Sequence, residues 1–146
     1  MSPKQRQLVP AGHGKRLANY LIDLFAFSIL FSIVLVVWSS IDPERFSTAP
    51  QNTIQELFNN LLVSVLYAFY MGIIEALFKG KSLGKLITGT RAVCRNGQPI
   101  DTKTAFYRGL IRIVPFCPLS GLGMPCNPWQ DRWTQTMVID EKRSVL

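Results

Sequence analysis

Two stretches of this chain are nearly free of charge over lengths that a soluble domain of its size cannot bury. Leu17–Trp38 holds 22 residues with one ionisable side chain, Asp23, and Leu57–Phe78 holds another 22 with one, Glu75. An α-helix needs about 20 mostly apolar residues to cross the ~30 Å hydrocarbon core of a bilayer. The chain has 146 residues in all, too few to surround two such helices on every side in a water-soluble core. Both blocks are therefore predicted to be transmembrane helices, over 17–38 and 57–78. A signal peptide competes for the first block because basic residues precede it. The block is long for such a segment, carries Asp23 near its start and lacks an A-x-A cleavage site.

The charges outside these blocks are sorted by side. Lys4, Arg6, Lys15 and Arg16 make the 1–16 tail basic with no acid. The 39–56 loop is net acidic, with Asp42, Glu44 and Glu56 against Arg45. From 79 to 112, eight Lys and Arg face one acid, Asp101. This asymmetry predicts a cytoplasmic N-terminus, an outside loop at 39–56 and a cytoplasmic segment after the second helix. It also accounts for a net charge of +7 in a chain with only 17% charged residues, where soluble domains average about 25%. Lys79, Lys81 and Lys85 are then placed to contact lipid headgroups. The basic segments lack aromatics interleaved on a nucleic-acid-binding fold, so no nucleic-acid partner is expected.

A third segment, 104–123, is apolar but contains Arg108, Arg112, Pro115 and Pro118. Arg108 and Arg112 lie one turn apart and share a helix face. An amphipathic helix at the interface followed by a re-entrant stretch is the favoured reading; a third complete crossing is the alternative. Thr90–Arg95 and Gln98–Ile100 flank Asn96-Gly97, a strong hairpin signal, within the basic segment 79–103. Two strands alone are marginal, and Thr134–Ile139 is the strand-like run available to join them. That pairing would bring the C-terminus to the cytoplasmic side, with an even number of crossings. The expected architecture is an all-α membrane protein with two transmembrane helices, a third re-entrant, interfacial or spanning segment, and a small cytoplasmic β-hairpin.

Ionisable residues inside a span are costly unless paired or hydrated, and so mark candidate sites. Asp23 follows Arg16 by seven residues on one helix face, with Asn19 and Tyr20 between them. Asn60, Ser64, Tyr67, Met71 and Glu75 form a stripe on the second helix. Antiparallel packing predicts that Asp23 and Glu75 meet near one membrane face, with Arg16, Arg108 and Arg112 as counter-charges. Such a cluster either fixes helix register or serves as an ion or proton site. His13 is alone in a basic tail, and Cys94, Cys117 and Cys126 lack ligand spacing, so no metal site is expected. Gly80-Lys81-Ser82 lacks the earlier glycine and the preceding strand of a phosphate loop. No nucleophile–base pair is evident, so neither an enzyme nor a cofactor is expected.

The order of several short motifs resembles the RDD family of small bacterial membrane proteins, named for one Arg and two Asp. The matching stretches are Gly14-Lys-Arg16-Leu-Ala-Asn-Tyr-Leu-Ile-Asp23 and Gly80-Lys-Ser-Leu-Gly-Lys-Leu-Ile-Thr-Gly-Thr-Arg-Ala-Val93. They continue with Asn96-Gly97-Gln-Pro99, Ala105–Arg112 and Trp129-Gln-Asp131-Arg-Trp-Thr-Gln-Thr136-Met-Val138. The resemblance spans residues 12–139, leaving a 140–146 tail. It implies that Arg16, Asp23 and Asp131 are the name-giving residues, and it suggests transport, including cation/proton exchange, at a bacterial plasma membrane. The prolines at 115, 118, 125 and 128 interrupt a stretch that is longer and apolar in the family. Two or three helices cannot enclose a path with alternating gates, so transport predicts a homo-oligomer or a larger complex. The other expectation is a membrane-embedded interaction or assembly protein that binds lipid headgroups or a protein through its basic segment.

Overall fold

The first apolar block forms α1, His13–Ile41, and the second forms α3, Thr53–Leu77, with the short α2, Pro43–Phe46, between them. The computed structural model describes residues 7–46, 52–114, 117, 120 and 127–144. The tail residues Lys4 and Arg6, most of the Pro-rich stretch after Val114, and Cys126 lie outside the described residues. Among the described residues, α1 and α3 are the helices long and apolar enough to cross a membrane. A rise of 1.5 Å per residue makes them about 43 and 38 Å long. Asn52 caps α3 by accepting from Gln55 N at 2.9 Å, which satisfies one of the free N–H groups of its first turn.

Neither long helix packs chiefly on the other. α1 lies against α4, Leu83–Thr88, and α3 against α5, Thr102–Ile111. Glycine permits both close approaches. A Cβ on Gly84 would stand 2.5 Å from the Asn19 carbonyl oxygen, and one on Gly109 2.4 Å from that of Ala68. The buried positions follow the helical repeat: Asn19, Asp23 and Phe27 on α1, and Ala68, Met71, Gly72 and Glu75 on α3. Much of the remaining surface of both helices is apolar and exposed. Phe27 bridges them, its ring centroid 5.1 Å from that of Tyr67 and 5.4 Å from that of Tyr70.

At the end where α1 starts and α3 finishes, β1, Thr90–Cys94, pairs antiparallel with β2, Thr136–Asp140, from Thr90↔Asp140 to Cys94↔Thr136. The N-terminal segment lines the other edge of β2, with Ala11 N donating to Val138 O at 2.9 Å. Ala11, Ala92, Ile100, Ala105 and Val138 form the small core beneath this sheet.

The sheet therefore differs from the expected hairpin. The Asn96-Gly97 turn forms, with Gly97 N donating to Cys94 O at 2.8 Å. Its second arm contributes only the isolated bridge Val93↔Pro99. Pro99 has no N–H to extend a ladder, whereas the run from Thr136 offers a full five-residue strand. α6, Trp129–Trp133, precedes that strand. The helix begun in the third segment stops at Ile111; the stretch that decides between re-entry and crossing lies outside the described residues.

Candidate functional site

Six of the seven elements around the polar end contribute to one buried charge network. Glu75, near the end of α3, is 1% exposed. Its Oε1 accepts from Lys85 Nζ at 2.6 Å and Arg112 Nη2 at 2.7 Å, and its Oε2 from Arg108 Nε at 2.9 Å. Arg108 is fully buried and continues the chain, donating from Nη1 to Asp131 Oδ1 at 2.6 Å and to Thr136 Oγ1. Arg16 completes it, with Nη1 donating to Asp131 Oδ2 at 2.6 Å. Its other nitrogens donate to the carbonyls of Ala11 and Val138.

The planar guanidinium of Arg108 suits this bridging role because its donors sit in a fixed fork. A buried ion pair is tolerable when the remaining lone pairs and protons are satisfied. That condition holds for the acids: every oxygen of Glu75 and Asp131 accepts a bond. It fails for two of the cations. Arg108 Nη2 and Arg112 Nε are buried without a hydrogen-bond partner. The network holds four cations, Arg16, Lys85, Arg108 and Arg112, against two carboxylates.

This imbalance acts on the groups themselves. Burial lowers the Lys85 ammonium; Glu75 opposes that, the two nearby arginines add to it, and Lys85 comes to about 8. Burial acts against charge on Asp131, but Arg108 and Arg16 outweigh it and hold the carboxyl below its usual range.

Asp23 stands apart from the network, against the expectation that it joins Glu75 and Arg16. Its Oδ2 accepts from Ser82 Oγ at 2.5 Å and its Oδ1 from Gly84 N at 2.8 Å. It therefore closes the first turn of α4, where free N–H groups favour a carboxylate. Arg16 and Asp23 both turn toward the cavity from α1, as their seven-residue spacing predicts. Their side chains then diverge, because α4 offers Asp23 neutral donors while α6 offers Arg16 an acid.

Lys85 requires a second correction. Expected at the headgroups beside Lys79 and Lys81, it is 3% exposed and turned inward to Glu75. Ser82 sets this by capping α4 and fixing which face the lysine occupies. Lys79 is exposed, whereas Lys81 pairs with Glu141 at 2.8 Å. Asp131, which the helix-packing argument left out and only the family resemblance brought in, sits at the centre.

Asn19, Ser82, Thr90 and Thr136 were not singled out. Asn19 Nδ2 donates to Thr90 Oγ1 at 2.9 Å, and Thr88 Oγ1 donates to Asn19 Oδ1 at 2.5 Å, tying α1 to the start of β1. Their sequence signal was a polar residue one turn before Asp23 on the same face. Thr136 carried none, since a threonine in a strand is unremarkable. Among the described residues, no group of three His, Cys, Asp or Glu side chains is arranged to hold a metal ion.

A cavity of about 370 Å³ opens beside the network, between α1 and α3. Arg16, Lys85 and Arg112 line its polar end, with Asp23 facing α4 at the same level. Leu17, Leu24, Phe27 and Val63 are among the residues that line the rest, together with Tyr20, Ser64 and Gln130. Tyr67 also lines it, beside Arg112. The arrangement can hold an anion; every acid in it is already engaged.

The pattern of the RDD family matches residues 10–134 of this chain, a span that holds the six charged residues of the network but not Thr136. An uncharacterised protein of Bacillus subtilis (strain 168), YckC, is 24% identical over 115 residues, covering 79% of this chain and 67% of its own. No solved structure matches.

Proposed function

The chain belongs to the RDD family, and we propose that it is a non-enzymatic, membrane-embedded binding subunit of an ion or small-solute transport assembly. In this reading cations, not carboxylates, hold the passenger. The observation that carries it is the excess of two positive charges in a buried network whose Arg16, Lys85 and Arg112 side chains line a cavity. Asp23 lines the same cavity, and counting it leaves the balance positive. An isolated buried cation is expensive, so an arriving anion would be stabilised by donors already in place.

The excess of Lys and Arg near the polar end supports a cytoplasmic orientation for it in the bacterial plasma membrane. The two long helices among the described residues do not enclose a gated path, so the working unit is a homo-oligomer or a larger complex. The alternative, an assembly protein acting through its basic segment, is less favoured because Lys85 is buried and Lys81 and Arg91 both meet Glu141.

The test is equilibrium binding of radiolabelled inorganic phosphate and of sodium-22 to the full chain in nanodiscs. Saturable phosphate binding that is lost in Arg112→Gln supports the reading. Saturable sodium binding that is lost in Asp23→Asn, with no phosphate binding, overturns it in favour of a carboxylate site.

A further inference from the structure

The walls of the cavity say more about its ligand than its charge alone. Leu17 and Leu24 line it, yet they are 49% and 37% exposed on the outer surface of α1. The same side chains thus form both the cavity wall and the helix face turned toward the acyl chains. α1 and α3 are joined across this gap by the Phe27 ring contacts, while each packs mainly on its own short helix. Arg16, Lys85 and Arg112 stand at the polar end of the gap with Asp23 at the same level, and among the described residues Leu17 and Leu24 join its wall to the outer face of α1.

We infer that the cavity is a lateral binding site for the phosphate group of an anionic phospholipid, which enters from the surrounding leaflet. The inference rests on the anion-binding reading and names its ligand class. At about 30 Å³ per water, 370 Å³ holds roughly a dozen waters. That is room for a headgroup phosphate and the start of a chain, not for a whole two-chain lipid. The chains then remain in the bilayer along Leu17, Leu24 and Val63.

Arginine donors suit a phosphate because its oxygens accept in the plane of the guanidinium. Arg112 lines the polar end of the cavity with Arg16 and Lys85, and its side chain is 10% exposed. Glu75 keeps Arg112 in place through Nη2 at 2.7 Å, so the guanidinium is positioned before the ligand arrives. A zwitterionic lipid offers the same phosphate but also a quaternary amine, and a site with three cations against Asp23 keeps a net positive charge that disfavours it.

The experiment uses the full chain in phosphatidylcholine nanodiscs with trace spin-labelled phosphatidic acid, and reads the immobilised fraction. Saturable immobilisation is expected, with at least about a tenfold preference over spin-labelled phosphatidylcholine, the scale of one charge-assisted hydrogen bond. Because Arg112→Gln also disturbs Glu75, Val63→Trp serves as the second variant: it fills the cavity and leaves every ion pair intact. Val63→Trp is expected to abolish the immobilised component while the protein unfolds as the wild type does.

Equal retention of both lipids overturns the inference, as does full retention in Val63→Trp. Inorganic phosphate that binds as tightly as the lipid also overturns it, while leaving the anion-binding reading standing. Binding of neither phosphate nor lipid removes both.

Discussion

Arg16 Nη1 lies 2.6 Å from Asp131 Oδ2, which fastens the first turn of α1 to α6 across 115 residues of sequence. The pair is buried, with side-chain exposures of 11% and 1%, and Arg108 shares the same carboxylate. Removing one partner leaves a buried charge short of its counter-charge, a cost of about 3–5 kcal/mol. Arg16→Gln and Asp131→Asn are each expected to lower the midpoint of SDS-induced unfolding. The double variant should lose clearly less than the sum, because the two side chains act as one unit. A fully additive double variant would show that the contact carries no coupling.

Asp23→Asn separates a structural carboxylate from an ion-binding one. An amide has one oxygen for the two donors, Ser82 Oγ and Gly84 N, and its NH₂ faces a donor. A loss of about 1–3 kcal/mol in stability is expected. Phosphate binding to the variant, measured in membranes where it remains folded, should rise rather than fall, because the substitution removes a negative charge from the wall of the same cavity. A stable variant with altered sodium binding would contradict this.

Lys85 gives anion binding a pH dependence. Its folded value of about 8 lies below the usual lysine value of about 10.4, so the folded protein releases this proton first. The positive excess of the network then drops by one as pH rises through about 8. Phosphate and phosphatidic acid retention should fall between pH 7 and pH 9, and Lys85→Gln should flatten that profile. For stability the sign is opposite: the contribution of this group rises with pH between the folded and unfolded values.

The acid limb belongs to Asp131. Its folded value is lowered by Arg108 and Arg16 against the effect of burial. The stabilisation it confers is therefore present above the unfolded value, about 3.9, and is lost as pH falls through the folded one. The stability gap between wild type and Asp131→Asn should be constant near neutrality and narrow in strongly acidic buffer. A gap that closed near pH 7 would assign the effect elsewhere.

Gly84→Ala tests the α1–α4 approach. A Cβ would stand 2.5 Å from Asn19 O and 2.7 Å from Asn19 Cα, both backbone atoms that no rotamer change relieves. The helices must separate, taking the Asp23 bonds to Ser82 and Gly84 with them. Overpacking of this kind costs about 1–3 kcal/mol. Thermal unfolding of the variant should show that loss, whereas alanine at the exposed Gly12, where nothing lies within 4 Å, should not.

The two long helices were legible because a run of some 20 apolar residues has few places to go. Their lengths changed only at the ends, where capping residues such as Asn52 extend the backbone past the apolar block. The partner of β1 was legible in part: Thr134–Ile139 stood out as a strand, but the neighbouring arm through Pro99 competed for the same edge. The importance of Glu75, Arg108 and Arg112 could be read from charges placed in apolar surroundings. The inward turn of Lys85 could not, because a lysine in a basic loop reads as solvated until its helix is seen to be capped by Ser82 and pressed against α1.

By itself the sequence determined which two runs form long apolar helices and which charges within them are scarce, since hydropathy and helical spacing are local properties. Which charge meets which was decided by the tertiary structure. Arg16 and Asp23 share one helix face, yet one goes to Asp131 and the other to Ser82 and Gly84. Those partners arrive from segments 59 to 115 residues away, and a buried charge settles with whichever complementary group the fold brings within hydrogen-bond distance.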